Sequence, residues 1–445
     1  MNKRKIFGWS IIVSLGGFLF GFDTAVISGA EQAIQKFWNL STVEHGFTIS
    51  IALLGTILGA LTGSIPSDKL GRKTTLIIIA ALYLIASIGT ALAGNWYLFL
   101  LFRFLGGIGV GASSVTAPVY IAEVSPPDIR GRLVAMFQFN IVLGIVISYF
   151  SNYLIGLSDL GNISWRWMLG VQALPSLIFF ILLQFVPESP RWLFTKRNNV
   201  SEAKRILQII NPATCDEVLE SIKNNDLAES ASGKASRLFT QKNKFPVFLA
   251  IAFAFFNQVS GINAIIYYAP RIFEMTGLGR SSSLLSTVGI GVVNLIFTLV
   301  AVNFIDKIGR RKLMLIGSFG LIATLGLVAF NFYSHNSGGI LITIYLLLYI
   351  AFFAFSQGAV IWVFISEIFP NQVRAKGQTL GSFTHWFMAA VIAFSFPSLT
   401  EDLGGGNTFL FFSIMMVIQL LFVWKIMPET KGRSLEQIER NLVLH

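Results

Sequence analysis

Twelve runs of about twenty apolar residues lie along this chain, and they decide what it can fold into. Backbone N–H and C=O groups in hydrocarbon must be satisfied within their own segment, so each such run becomes a helix that crosses a bilayer. The runs fall at residues 7–29, 46–66, 74–93, 97–121, 133–156, 166–186, 245–269, 282–305, 313–334, 338–365, 378–399 and 406–427. They form two groups of six, parted by a polar, charged stretch at 188–244. The expected fold is an all-α membrane protein of twelve transmembrane helices in two pseudo-symmetric six-helix bundles. Only 12% of the residues are charged, against about 25% in a soluble domain. The first run is long enough to span, so it reads as a retained helix and not a removed signal peptide.

Charge sets the topology. The net charge of +11 invites a nucleic-acid reading, but its distribution speaks against one. Laid on the twelve spans, Lys36, Arg166, Arg271 and Arg280 fall on one side and Arg103 falls inside a span. All the other Lys and Arg fall on the opposite side. The positive-inside rule makes that side the cytoplasm, so both termini are expected there. The single cysteine, Cys215, excludes an internal disulfide framework and a Cys-rich metal site. No cofactor or metal is expected.

The chain also repeats itself. DKLGRK at Asp68–Lys73 returns as DKIGRR at Asp306–Arg311, AEVSPPDIRGR at Ala122 as SEIFPNQVRAK at Ser366, and PESPRWL at Pro187 as PETKGRSL at Pro428, all at nearly one shift. A duplicated six-helix unit is the plan of a transporter that rocks around a central site. The expected organisation is an N-terminal bundle at 1–187, a cytoplasmic helical linker at 188–244, a C-terminal bundle at 245–428 and a cytoplasmic tail at 429–445. GGIGVG at Gly106–Gly111 is not GxGxxG and follows no strand, so it reads as a site of close helix packing through Gly107 and Gly111.

RFLGGIGVGASSVTAPVYIAEVSPPDIRGRL, PESPRWL, QVSGINAIIYYAP, WVFISEIFP and PETKGRSLEQIE occur in that order. Over essentially its whole length the chain resembles the sugar porter family of the major facilitator superfamily, and within it the bacterial proton-coupled monosaccharide symporters. The resemblance implies that the duplicated loops form a cytoplasmic latch from Asp68, Arg72, Glu123 and Arg130, and from Asp306, Arg310, Glu367 and Arg374. The plainer alternative is topology signalling alone, which does not require the acids.

NQVSGIN places Asn257, Gln258 and Asn263 inside an apolar span. On a straight helix Asn257 and Asn263 would point about 120° apart, whereas a break near Gly261 lets the amides converge. Each amide offers both donors and an acceptor, which suits a sugar. The alternative is interhelical glue. The resemblance implies that Gln258 and Asn263 hold sugar hydroxyls, with Asn257 where the family usually has Gln. It further implies that Trp362 stacks on the sugar and that Gln138 and Asn294 add polar contacts. Ile145 and His385 stand where the family's xylose symporters have Gln. His385 can therefore bond the sugar, titrate, or cap a packed cluster. Tyr267 and Tyr268 are expected to gate the outer side, and Phe22 and Trp386 to line the pocket.

Asp23 is the remaining puzzle. A carboxylate in mid-span costs about 2.5–3.5 kcal/mol on insertion scales, so its presence asks for a function. Arg103, the intramembrane cation, is its natural partner. Burial favours the neutral acid and Arg103 the charged one, so a motion that alters either loads or releases a proton. The resemblance implies the same role, since the family's symporters carry Asp here. A static buried pair is the alternative. The expected function is import of a monosaccharide with a proton by alternating access, in a bilayer, by a monomer of the cell membrane. A passive uniporter is the main alternative, with a sugar-sensing receptor behind it. No nucleophile–base pair supports an enzyme.

Overall fold

A computed structural model of the chain describes residues 3–126, 128–158, 160–231, 237–334, 339–370 and 372–432. Among them, twelve helical segments are long and apolar enough to cross a membrane: Arg4–Phe37, Thr42–Thr62, Arg72–Leu92, Trp96–Val124, Arg130–Leu157, Gly161–Phe185, Gln241–Met275, Arg280–Ile308, Arg310–Ser334, Gly339–Ile368, Arg374–Asp402 and Gly404–Lys425. They are called spans 1 to 12 here. The number agrees with the sequence, but several run past the apolar stretch, span 1 by two turns. Short helices Pro190–Arg197, Val200–Ile210 and Cys215–Ala231 follow span 6. The first starts with Ser189 accepting from the Trp192 N–H and Pro190 in the first turn, a standard N-terminal pairing. The end of the tail, 433–445, lies outside the described residues.

The chain divides into two compact units. The first holds Met1–Asp23, Gly55–Ile145 and Leu169–Ala235, and the second Thr24–Leu54, Val146–Met168 and Ser236–His445. The ends of spans 1, 2, 5 and 6 remote from the N-terminus thus group with the second sequence repeat. In the first unit, spans 2 and 4 touch backbone to backbone. A Cβ on Gly111 would run into the Thr56 carbonyl and the Ala60 nitrogen, so the small residues there permit the close packing expected of GGIGVG.

In the second unit, span 7 consists of helices Lys244–Val259 and Ile262–Met275, parted at Gly261 with φ +87°. That left-handed conformation suits only glycine well, and a Cβ would also stand 2.7 Å from the Phe412 ring. The expected break is there. Two prolines loosen neighbouring turns. Pro270 has no N–H for the Ile266 carbonyl, and Pro397 none for the Ala393 carbonyl. Tyrosines fill both vacancies: the Tyr149 hydroxyl donates to Ile266 at 2.8 Å and the Tyr268 hydroxyl to Ala393 at 2.8 Å. A third tyrosine, Tyr349, donates to the Ser260 carbonyl beside the break at 2.9 Å. An apolar interior offers no water to replace these donors. Tyr149→Phe should therefore lower stability by about 1 kcal/mol, read as a drop in detergent Tm. In a Pro270→Ala background the backbone N–H can reclaim Ile266, so the same substitution should cost less. Fully additive losses would show that the hydroxyl does not stand in for the missing N–H.

Candidate functional site

In the first unit Asp23 and Arg103 meet. Arg103 Nη1 donates to Asp23 Oδ1 at 3.0 Å, and the two residues are 5% and 3% exposed. Ala86 and Gly106 pack beside the carboxylate, and Gln172 and Ser87 line the same narrow cleft. The pair is joined by one bond and not by a two-pronged fork. Arg103 Nε and Nη2 are buried without a hydrogen-bond partner among the described residues. A buried ion pair stabilises a fold only when its remaining protons are satisfied. This one leaves two donors open, which a static structural pair would not need. Phe22 is buried one residue away, while Gln138 is exposed on span 5 of the same unit.

In the second unit the break at Gly261 brings the amides of span 7 together. Gln258 is the hub: its Nε2 donates to Asn257 Oδ1 at 2.9 Å, its Oε1 accepts from Asn263 Nδ2 at 2.5 Å, and His385 Nδ1 lies 3.1 Å from Nε2. Because Gln258 Nε2 carries hydrogens, the histidine nitrogen that faces it must be the acceptor. His385 in turn packs against Trp362 and Trp386, each with ring centroids 4.8 Å away. Trp362 is 36% exposed, an aromatic face left open beside buried amides. Tyr267 and Tyr268 are buried on the next turns. Asn294 stands apart from this network, its side chain paired with Thr298 at 3.4 Å. The constellation offers neutral donors and acceptors next to an exposed indole, the chemistry that a polyhydroxylated ring calls for.

The repeated loops carry matching ion pairs, one set in each unit. Arg72 holds Glu123 through Nε at 3.1 Å and Nη2 at 3.2 Å, and Asp68 through Nη1 at 3.0 Å. Arg310 holds Glu367 at 3.2 and 2.8 Å and Asp306 at 2.8 Å. Arg130 and Arg374 do not join either set: Arg130 donates to the Ser125 carbonyl, and Arg374 leaves Nε and Nη2 without a partner among the described residues. Two further acids complete the pattern. Glu188 accepts from the backbone of Lys73 and Ser189, and Glu429 from that of Arg310 and Arg311. Each carboxylate thus sits on the first N–H groups of a helix, where the dipole favours an anion. Burial pushes the Glu188 carboxyl up from its ordinary range, against the pull of those N–H groups. The sequence held a signal for both, since they recur as the second residue of PESPRWL and PETKGRSL. A last cluster, buried Glu31 and His45 with the partly exposed Arg271, had no such signal.

Residues 9–442 match the family described as "Sugar (and other) transporter". The chain belongs to that family. Its members are membrane transporters and not enzymes. The chain is 39% identical to the arabinose-proton symporter of Bacillus subtilis, covering 99% of this chain and 96% of that protein. It is 35% identical to the D-xylose-proton symporter of Escherichia coli, covering 98% and 96%. Among solved structures, the inward-open xylose transporter XylE of E. coli superposes with TM-score 0.87 at 34% identity, over 98% of this chain and 99% of that one. The fold is therefore the twelve-helix major facilitator fold.

Proposed function

We propose that this chain imports a monosaccharide together with a proton by alternating access, as a monomer of the plasma membrane with both termini in the cytoplasm. The relatives named above as arabinose- and xylose-proton symporters support the substrate class. The observation that carries the proton is the Asp23–Arg103 pair, buried, singly bonded and with two open donors. A buried carboxylate within a span, with a single bond to its partner, is where the proton would join the transport cycle. Asn257, Gln258, Asn263 and His385 would hold the sugar hydroxyls with the ring against Trp362. Gln138, Asn294, Phe22, Tyr267, Tyr268 and Trp386 would complete or close the pocket. The halves 1–187 and 245–428 would rock about that site, joined by 188–244 and followed by the tail at 429–445. The arginine–carboxylate sets around Arg72 and Arg310, with Arg130 and Arg374 nearby, would latch the cytoplasmic loops.

One charge falling through 100 mV releases about 2.3 kcal/mol, enough for a sugar gradient of roughly fifty-fold. The test is uptake into proteoliposomes with and without an imposed pH gradient. Accumulation above the outside concentration only when protons are supplied outside supports symport. Equilibration that ignores the gradient leaves a passive uniporter.

A further inference from the structure

Span 1 contains a second buried carboxylate. Glu31 lies two turns beyond Asp23, in the second unit, with no exposed surface. Arg271 of span 7 grips it with two bonds, Nε to Oε1 at 3.0 Å and Nη2 to Oε2 at 2.7 Å. His45 of span 2, equally enclosed, places Nε2 at 2.6 Å from the same Oε2. Gln35 takes a further Arg271 proton at 2.5 Å. One carboxylate thus ties together spans 1, 2 and 7 at the end of the bundle remote from the N-terminus.

Within the triad itself the charges balance in one protonation state: Glu31 and Arg271 cancel, so a neutral His45 that donates through Nε2 leaves the three residues uncharged. A proton on His45 would add a second cation, with Arg271 Nη2 only 3.4 Å from the ring nitrogen. It would also have to sit on Nδ1, which is buried without a hydrogen-bond partner among the described residues. An added charge on a ring with no exposed surface is disfavoured, and the 21% exposed Arg271 side chain is the only member of the triad that reaches solvent. Among the described residues no other titratable group hydrogen-bonds the ring. Tyr268 packs edge-on at 6.1 Å and spends its hydroxyl on Ala393. Tyr267 and Glu274 flank Arg271 on span 7, where the Glu274 anion acts on the guanidinium and not through a bond to the His45 ring. Glu44, next to His45 on span 2, turns back to cap Ser41, and Glu401 on span 11 takes the Thr42 hydroxyl.

We propose that Glu31, His45 and Arg271 form a second proton site of this carrier, an outer latch that is closed when His45 is neutral and opens as His45 takes a proton from outside. Opening exposes Nδ1 to water, so the closed form excludes the proton and the open form accepts it. By linkage, acid outside then populates the outward-facing state. That direction suits an importer, since the carrier opens outward where protons are plentiful. The inference rests on the orientation proposed above, with the N-terminus in the cytoplasm.

Ser28 lies one turn inward of Glu31 and is 2% exposed, so it reports opening. In a Cys215→Ser background, Ser28→Cys is labelled from outside the vesicle by an impermeant maleimide between pH 8 and pH 5.5. Each rate is divided by that of the same protein carrying His45→Gln, which keeps an N–H donor for Glu31 but cannot titrate. The division removes the pH dependence of thiol chemistry. The ratio should rise at least about fivefold toward acid, the lower end of ordinary coupling energies. A flat ratio overturns the proposal. Should His45→Gln fail to insert, Glu31→Gln replaces it: without the shared anion, labelling should be fast and its pH dependence should follow thiol chemistry alone. Acid-enhanced labelling beyond that in Glu31→Gln would equally overturn it. Uptake under a pH gradient, run on the same vesicles, tests symport separately, and labelling only from the inside would refute the assumed orientation.

Discussion

The Asp23→Asn protein is expected to bind and exchange sugar but to lose accumulation entirely, its inside-to-outside ratio falling to about one even under a steep pH gradient. Asn has the shape of a protonated Asp and cannot ionise. Under the proposed mechanism the variant therefore mimics the carrier permanently loaded with its proton. Loaded carrier can cross in both directions, so exchange of labelled for unlabelled sugar, which moves no net proton, should persist. The amides proposed to hold the sugar belong to span 7, with His385 of span 11 beside them, and keep their own hydrogen bonds without help from Asp23, so affinity should change little.

The geometry explains why Asp23 is a sharper probe than its partner. Removing the Arg103 side chain would leave a buried anion with no cation, a defect worth about 3–5 kcal/mol. Misfolding would then be hard to tell from lost coupling. Asp23→Asn leaves the guanidinium one acceptor, the amide oxygen, in place of Oδ1. Sugar accumulation by this variant when protons are supplied outside would remove Asp23 from the proton path.

Fold and site were legible to different depths. The twelve spans followed from run length alone, because hydrocarbon forbids any irregular chain it cannot satisfy. The break at Gly261 was legible because a glycine sat between amides that a straight helix would have splayed. Glu31 escaped for the same reason that the span count succeeded. Apolar run length ended span 1 at residue 29, whereas the helix continues to Phe37 because its polar last turns find partners inside the protein. His45 and Arg271 looked like loop residues until tertiary packing joined three distant segments. The roles of Tyr149 and Tyr268 were hidden in the same way: each proline announces a free carbonyl, but only the packing tells which hydroxyl reaches it.

The second large effect is expected at the hub of the amide network. Gln258→Ala should weaken sugar binding by at least about a hundredfold, near 3 kcal/mol, while the protein still inserts and runs as a single species in detergent. Gln258 has no exposed surface and bonds Asn257, Asn263 and His385 at once. Its removal deletes one proposed ligand group and frees its three partners to turn away from the proposed sugar position. Each polar group left unpaired in a buried site costs about 1–3 kcal/mol. Asn263→Ala deletes one bond in the same network and leaves Gln258 tied to Asn257 and His385, so its loss should be nearer tenfold. His385→Gln supplies another amide at the same place and should preserve binding while altering the ranking of pentoses against hexoses. The measurement is equilibrium binding of a panel of labelled monosaccharides to each purified variant. The order of loss matters more than any single value. Should Asn263→Ala prove as damaging as Gln258→Ala, the amides act as separate ligands and not as a network held by one residue. Should folded Gln258→Ala bind sugar within about threefold of the unmutated protein, the substrate site lies elsewhere.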